Sequence, residues 1–496
     1  MVTHVSLFAL WLLTVEGAFA SVQSVQRRAT VTDCLAAANV PRFLSGTPEY
    51  TMAIRPYNAR LPVKPLIVTT PRTVAHVQAA VACGAQHKIP VTARGGGHDY
   101  AAHGLGGEDG HLIVDMKMFT NVTVDSSTQV ACVGSGSRLG NVAIALFEQG
   151  ERAISHGTCA SVGVGGHVTG GGYGYASRTH GLALDNLVEA TIVLANSTVV
   201  SANKTKNADL FWAIRGAGAS FGIITEYKFQ TWPAPSNSTI FYFYYNFTQK
   251  QAVAMHKGLQ EYANTSMPSE MNMRMSIDSR YPYQQLEGVY YGSQEDFSKA
   301  IAPLLAKAPF SGGFGFNRTA GWIDTLTTFA YSNLSTPLDF FTSETFFAKS
   351  LMTVDVTDTA IESFWAYWHH VLRKHKRSWY LLIDLHGGPS SAISKVPDGD
   401  TSYPHRNALL KYQFHDSSSG EFPSDGFSVL NGWVESLTKA MPETTIGMYV
   451  NYADTSLSTA EAHKLYWLKH YPKLTKVKHA YDPHVVFSNP QSIGLS

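Results

Sequence analysis

Apolar positions between residues 65 and 100 change period along the chain and predict strand, helix, strand and loop in turn. Leu66-Ile67-Val68 is a short apolar run of strand type, and Pro71 behind it is placed to open a helix. Val74, Val77 and Val81 recur at helical spacing, and Gly84 suits the helix C-cap. Ile89-Pro90-Val91 starts the next strand, which runs into Arg94-Gly-Gly-Gly-His98. Two further Gly-rich segments follow, Gly163 to Gly174 and Arg215 to Gly222, the second leading into a strand-like Ile223-Ile224.

The pattern changes near Pro233-Ala-Pro235. Ile240-Phe-Tyr-Phe-Tyr-Tyr-Asn-Phe247 behind it is aromatic and strongly β-prone, and it marks the start of a second unit. Mixed strands and helices continue to about Glu443. The tail from Ile446 differs again, with a turn and strand expected over Asp482-Pro-His-Val-Val-Phe487. At the other end, an apolar stretch from Val5 to Val15 followed by Ala18-Phe19-Ala20 has the form of a secretory signal peptide, with a buried N-terminal helix as the alternative. Arg27-Arg28 is a candidate second processing point. No later apolar run approaches membrane length, so no membrane partner is expected.

Composition narrows the class. The 496 residues allow two or three domains, and 44% apolar residues are ample for a sizeable core. Lys and Arg total 38 against 37 Asp and Glu, so there is no basic footprint for nucleic acid. Sequons at Asn121, Asn196, Asn203, Asn237, Asn246, Asn264, Asn317 and Asn333 agree with export, and a secreted, extracellular protein is expected. Of the cysteines Cys34, Cys83, Cys132 and Cys159, none forms a C-x-x-C, which argues against a zinc or thioredoxin-like site. One disulfide plus two special or buried thiols suits an oxidising compartment.

Glycine clusters let backbone N–H groups come close to an anion, because no Cβ intervenes. Three of them within one part of the chain point to a large phosphate-bearing ligand. No G-K-[ST] follows any of them, so none is a P-loop. None supplies a clean G-x-G-x-x-G with its acidic partner, so a Rossmann site is poorly supported.

The strings Thr92-Ala-Arg-Gly-Gly-Gly-His-Asp-Tyr100 and Gly157-Thr-Cys-Ala-Ser-Val-Gly-Val-Gly-Gly-His-Val-Thr-Gly-Gly-Gly-Tyr-Gly174 resemble the flavin domain of the vanillyl-alcohol-oxidase superfamily. The nearest match is the branch of berberine bridge enzyme and the fungal gluco- and chitooligosaccharide oxidases. Asn451-Tyr-Ala-Asp454 and Tyr481-Asp-Pro-His-Val-Val-Phe-Ser-Asn-Pro-Gln-Ser-Ile493 extend the likeness to nearly the whole chain after the signal. The resemblance implies an α+β, PCMH-type FAD-binding fold with an inserted antiparallel-sheet substrate domain. Joined to the breaks in pattern, it divides the chain into a signal peptide (1–20), an FAD-binding domain (29–235), a substrate domain (236–445) and a segment returning to the FAD domain (446–496).

In that branch the His of R-x-G-G-H bonds to the flavin 8α-methyl and the Cys of the second motif bonds to C6. The matching residues are His98 and Cys159. On their own they read as a hydrogen-bonded loop histidine and a small buried hydrophobe; the surrounding motifs make them the tethers of a covalent FAD. Arg94, Gly95, Gly96, Gly97, Tyr100, Val162, Gly163, Gly165, Gly166, His167, Gly222 and Ile224 are the remaining expected cofactor contacts. The resemblance also implies a Cys34–Cys83 disulfide, which leaves Cys132 as a buried free thiol. Val162 stands where the family places a gate for dioxygen, and Val there goes with oxidases.

The substrate half carries Trp379-Tyr-Leu-Leu-Ile-Asp-Leu-His-Gly-Gly388. By the same resemblance Tyr452 is the base that takes the sugar hydroxyl proton, assisted by Asp384. Tyr100, Tyr173 and Tyr380 offer rings to pyranose faces, and Gln413 matches a sugar-binding Gln. Leu382 departs from the family, which carries a Gln two positions before the Asp. The expected activity is oxidation of the anomeric C1 hydroxyl of a reducing-end sugar by a monomer, with dioxygen reduced to hydrogen peroxide and no metal. The alternatives are a berberine-bridge-like oxidase of a polyketide or alkaloid, and a sugar-binding flavoprotein without turnover.

Overall fold

A computed structural model of the protein describes residues 30–307, 314–441 and 446–496. The expected signal peptide, Arg27-Arg28 and the expected boundary at 445/446 lie outside or against the edge of those residues. Among the described residues no helix is long and apolar enough to cross a membrane.

The first part of the chain builds two small sheets. One orders Arg42–Leu44, Ile67–Thr69, Leu112–Asp115 and Val91–Arg94, antiparallel in its first pair and parallel in the others. The other is antiparallel and orders Val122–Val124, Val130–Gly134, Ile223–Gln230, Leu187–Val193 and Val199–Asn203. The helix between the first two apolar runs spans Val74–Gln86 and starts at Thr73, whose hydroxyl accepts from the His76 N–H. Pro71 therefore precedes the cap rather than opening the helix. Gly84 sits inside the helix rather than ending it. A Cβ there would overlap the Val91 side chain, so this glycine serves close helix–strand packing. Cys34, on a helix over 30–37, is disulfide-bonded to Cys83 of that helix. Cys132 is free but half-buried, because its position in Val130–Gly134 alternates with the buried Ala131 and Val133.

An eight-stranded antiparallel sheet dominates the remainder. Its order is Phe314–Ala320, Ser238–Tyr245, Gln284–Tyr290, Met271–Asp278, Ser378–Leu385, Leu410–Ser418, Thr345–Thr353 and Ile446–Gly447. Side chains alternate between its faces. Phe241, Met273, Met275, Leu286, Leu381, Ile383, Tyr412 and Phe414 take one face and form a core with Trp365, Trp433 and their neighbours on the helices Asp358–His370 and Gly426–Thr438. Tyr242, Glu287, Arg274, Asp384 and Lys411 take the other face, along one register row. Helices thus cover one side of an antiparallel sheet, which is the α+β arrangement.

The tail corrects one expectation. Residues 485–487 form no strand; Val485 has a φ of 54°, and the Asp482 carboxylate accepts from the N–H groups of Val486 and Phe487. The Val486 carbonyl still accepts from the Val91 N–H at 2.8 Å, which straps this loop to the strand entering Arg94-Gly-Gly-Gly-His98.

Candidate active site

The first two Gly-rich segments interlock. A Cβ on Gly96 would overlap the Gly163 backbone, and a Cβ on Gly163 would overlap Gly96, so only two glycines allow the loops to meet. Arg138 clamps the junction from the side, donating to the Gly96 carbonyl at 2.7 Å and the Ser161 carbonyl at 2.5 Å. This meeting brings the two candidate tethers together. Ser161 Oγ lies 3.0 Å from His98 Nε2 and 3.4 Å from Cys159 Sγ. The Tyr57 ring rests on His98 with centroids 4.6 Å apart. Burial, then Arg138 and Arg94, push His98 down to about 4, so the imidazole is neutral and nucleophilic at neutral pH.

The loops form one wall of a cavity of about 520 Å³. All the expected cofactor contacts line it: Arg94, Gly95, Gly96, Gly97, His98, Tyr100, Cys159, Val162, Gly163, Gly165, Gly166, His167, Gly222 and Ile224. Their parts differ. The Arg94 guanidinium donates to the carbonyls of Ala53 and Arg55 and so fixes its own loop. His167 Nε2 accepts from the Gly157 N–H at 2.9 Å, and burial pushes it down to about 3, so it stays a neutral acceptor.

The cavity fits a large flat cofactor with a polar tail. A Cβ on Gly166 would meet nothing within 4 Å, so that wall is open backbone. Ser135 lines the same cavity, is 3% exposed, and its Oγ has no hydrogen-bond partner among the described residues. A buried hydroxyl without a partner is costly unless a ligand supplies one.

The opposite wall is the polar face of the large sheet. Asp384, Gln413, Tyr100, Tyr173, Tyr380 and Tyr452 all line the cavity. Tyr452 stands in a turn that two neighbours anchor. The Asn451 amide donates to the His167 carbonyl at 3.0 Å, and buried Asp454 pairs with Lys349. Lys411, which sequence reasoning missed, joins the two expected catalytic groups. Its Nζ lies 2.6 Å from Asp384 Oδ2 and 3.4 Å from Tyr452 Oη. Burial works to lower the Lys411 ammonium, but Asp384 and then Tyr452 outweigh it and hold it above its ordinary value. That fixed positive charge also faces the rings of Tyr173 at 4.3 Å and Tyr452 at 4.7 Å. The alternation in Leu410-Lys-Tyr-Gln-Phe-His415 was the available signal, since Lys411 must share the face of Gln413.

The three candidate stacking tyrosines each already carry a neighbour. Tyr100 stacks on Tyr452 at 5.7 Å, Tyr173 on His386 at 5.5 Å and Tyr380 on His415 at 4.6 Å. The Gln413 amide donates to Tyr100 Oη at 2.8 Å and Tyr380 Oη at 3.1 Å, and burial raises both hydroxyls well above their ordinary value. Arg274 adds a charge to the wall, paired with Glu287 at 2.5 Å. Leu382 lies between Ser276 and Gln413 in the next row and presents a hydrocarbon patch.

Comparison with known proteins gives the same picture. Residues 65–203 match the profile of an FAD binding domain, and residues 448–494 match the berberine and berberine like profile. A xylooligosaccharide oxidase from Thermothelomyces thermophilus is 41% identical over 474 residues, covering 94% of this chain and 95% of the relative. The solved xylooligosaccharide oxidase from Myceliophthora thermophila C1, in complex with xylobiose, superposes with a TM-score of 0.91 at 40% identity, covering 94% of this chain and 99% of that one. A solved glucooligosaccharide oxidase from Acremonium strictum, described as carrying 6-S-cysteinyl, 8α-N1-histidyl FAD, superposes equally at 0.91 with 38% identity, over 94% of this chain and 99% of that one.

Proposed function

The chain belongs to the berberine-bridge-like family of FAD-binding oligosaccharide oxidases, and from that premise we propose that it oxidises the anomeric C1 hydroxyl of reducing-end sugars. Tyr452 and Asp384, lining the same cavity as His98 and Cys159 and joined by the buried Lys411, are the observation that carries this reading. FAD, held by His98 and Cys159, would accept the hydride from C1 and pass the electrons to dioxygen, giving a lactone and hydrogen peroxide.

The residues of the chain do the rest. Tyr452 Oη takes the proton of the sugar hydroxyl. The Lys411 ammonium stands 3.4 Å from that oxygen, and Asp384 keeps Lys411 charged and aimed. Arg94, Arg138 and the interlocked glycines hold the loop that bears His98, while Ser135 and the open backbone at Gly166 suit the cofactor. Tyr100, Tyr173 and Tyr380, with Gln413, line the part of the cavity that receives the pyranose ring. Val162, three residues after Cys159 in the cavity wall, supports dioxygen as acceptor. The apolar N-terminus, the eight sequons and the disulfide support a secreted protein, and a monomer acting on a small carbohydrate completes the reading.

Oxygen consumption and peroxide release are to be measured with gluco-, xylo-, chito- and lacto-oligosaccharides and with their end-reduced alditols. Peroxide from sugars with a free reducing end, and none from the alditols, is expected. Silence with every sugar, alongside turnover of a polyketide or alkaloid, would replace this reading with the secondary-metabolite one.

A further inference from the structure

We propose that the cavity-side face of the eight-stranded sheet continues outward as an aromatic platform that binds the distal rings of a long neutral glycan, through Tyr244, Tyr281, Tyr283, Phe314 and Phe316. The platform rests on the carbohydrate reading above and extends it to chain length.

Register places the platform. Phe316 pairs with Tyr242, Tyr242 with Glu287, Glu287 with Arg274 and Arg274 with Asp384, all in one row across the sheet. The next row runs Phe314, Tyr244, Gln285, Ser276, Leu382 and Gln413. Side chains one row apart along antiparallel strands share a face. The same two rows therefore carry the candidate catalytic groups at one end and only aromatic rings at the other. Four strand intervals separate Asp384 from Phe316, about 19 Å at roughly 4.8 Å each. That span holds several sugar rings beyond the one at the cavity.

The rings form a connected surface. Tyr242 and Phe316 stack with centroids 5.3 Å apart, and Tyr244 and Phe314 at 4.9 Å. Tyr283 meets Tyr244 edge-on at 5.0 Å and stacks with Tyr281 at 5.3 Å. Its outer members are bare: Phe314 is 68% exposed, Phe316 47% and Tyr281 51%. Its inner end joins the cavity along the second row, where Tyr244, Gln285, Ser276 and Leu382 are each half-buried and Leu382 lines the cavity, while Tyr242 and Phe329 are buried together beneath.

Edge strands ordinarily carry charge or proline against unwanted pairing, and a bare aromatic patch marks a binding surface. Continuity with the cavity identifies the occupant as the remainder of the molecule whose reducing end sits at Tyr452. None of the five residues is charged, and the C–H faces of uncharged sugars suit ring faces edged with tyrosine hydroxyls. An acidic polysaccharide, a lipid or a charged peptide would find no counter-charge among them.

The experiment uses one linkage series from disaccharide to hexasaccharide, with the wild type and the Phe314→Ala/Phe316→Ala double variant. In the wild type KM is expected to fall about tenfold along the series with kcat constant, the equivalent of about one aromatic stacking contact. The double variant should lose that fall and keep the wild-type disaccharide constants, which also shows that it folds. Tyr281→Ala, outside any strand, should lose part of it. A KM independent of chain length, or an unchanged fall in the variants, overturns the platform. Electrophoresis through gels holding soluble xylan or hydroxyethyl cellulose reads binding without turnover. Retardation of the wild type that the double variant loses supports the platform, and equal migration overturns it. If no sugar is oxidised, the oxidase reading falls and the gels alone decide the platform.

Discussion

The loop wall and the sheet wall of the cavity are built on different principles. At the loop wall the backbone does the work. Gly96 and Gly163 meet because neither has a Cβ, and His98 and Cys159 follow from where those loops are forced to lie. At the sheet wall the side chains do the work. Asp384 and Gln413 line the cavity and Lys411 shares their face because of strand alternation, and Tyr452 arrives from a separate turn anchored by Asn451 and Asp454. A backbone device needs consecutive residues and writes a compact motif. A side-chain device needs only one residue per element and leaves its parts scattered.

The first test separates the two effects a sheet-wall residue can have. Tyr452→Phe removes the proposed proton acceptor and little else, so the rate of cofactor reduction by sugar should fall roughly 10²- to 10⁴-fold with stability unchanged. Stopped-flow bleaching of the bound cofactor and a thermal melt measure the two. Lys411→Met should lower that rate as well, but it also strands the Asp384 carboxylate in a site where neither group is more than 3% exposed. Losing one partner of a buried pair costs about 3–5 kcal/mol, so this variant should also melt early. Equal melting of the two variants would show that Lys411 is not a buried ion-pair partner.

Acid tests both walls together. Burial pushes His167 in the loop wall, and His256 and His415 in and behind the sheet, down to about 3. Below the ordinary imidazole value of about 6.5 the unfolded chain takes up protons that the folded chain refuses until about 3. Stability present above pH 6.5 is therefore lost as pH falls. Burial also lowers His98, His180 and His405 to about 4, so urea unfolding between pH 6.5 and 5 should report an uptake of more than three protons on unfolding, at about 1.4 kcal/mol per histidine and pH unit once the unfolded chain is fully protonated. A flat stability across that range would mean that these rings are not buried neutral.

The difference between the walls explains what could be read from the chain alone. The helical spacing of Val74, Val77 and Val81, the β-prone run at Ile240 and both glycine motifs are local, and the structure places them in a helix, a strand and two meeting loops. Gly84 misled because a glycine that serves close packing looks like one that ends a helix. The Val485–Phe487 run misled because it is apolar and short, while its backbone is committed to the Asp482 carboxylate. Lys411 was invisible as a motif: nothing near it in sequence says that Asp384 and Tyr452 flank it. Arg138 was invisible likewise, since its targets Gly96 and Ser161 lie on two other segments.

If the loop wall depends on backbone contact, one methyl group should harm it more than a change of side-chain chemistry. Gly96→Ala puts a Cβ onto Gly163, and relief requires the loops to part. Overpacking of this kind costs about 1–3 kcal/mol. Covalent cofactor, read as flavin fluorescence of the denatured protein in a gel, should drop sharply because His98 and Cys159 separate. Full tethering in this variant would remove the backbone argument.

The mildest change at that wall is Ser161→Ala, and it asks whether any side chain there matters beyond the tethers themselves. Ser161 Oγ stands between His98 Nε2 and Cys159 Sγ, at 3.0 and 3.4 Å. Only one arrangement of protons serves both tethers at once. The His98 Nε2–H donates to Ser161, which leaves the nucleophilic lone pair on Nδ1, and the Ser161 hydroxyl proton turns toward the Cys159 sulfur and holds it in place. Losing the hydroxyl frees the ring to adopt either tautomer and lets the thiol rotate, while both nucleophiles and both glycines remain. A neutral hydrogen bond is worth about 0.5–1.5 kcal/mol, so tethering should slow by roughly two- to tenfold rather than stop. Mixing cofactor-free protein with FAD and following the masses of the His98 and Cys159 peptides measures the two bonds separately. Both should slow together, since one hydroxyl serves both. If only one slows, Ser161 positions that residue alone; if neither does, the loop wall is set by its backbone and owes nothing to this side chain.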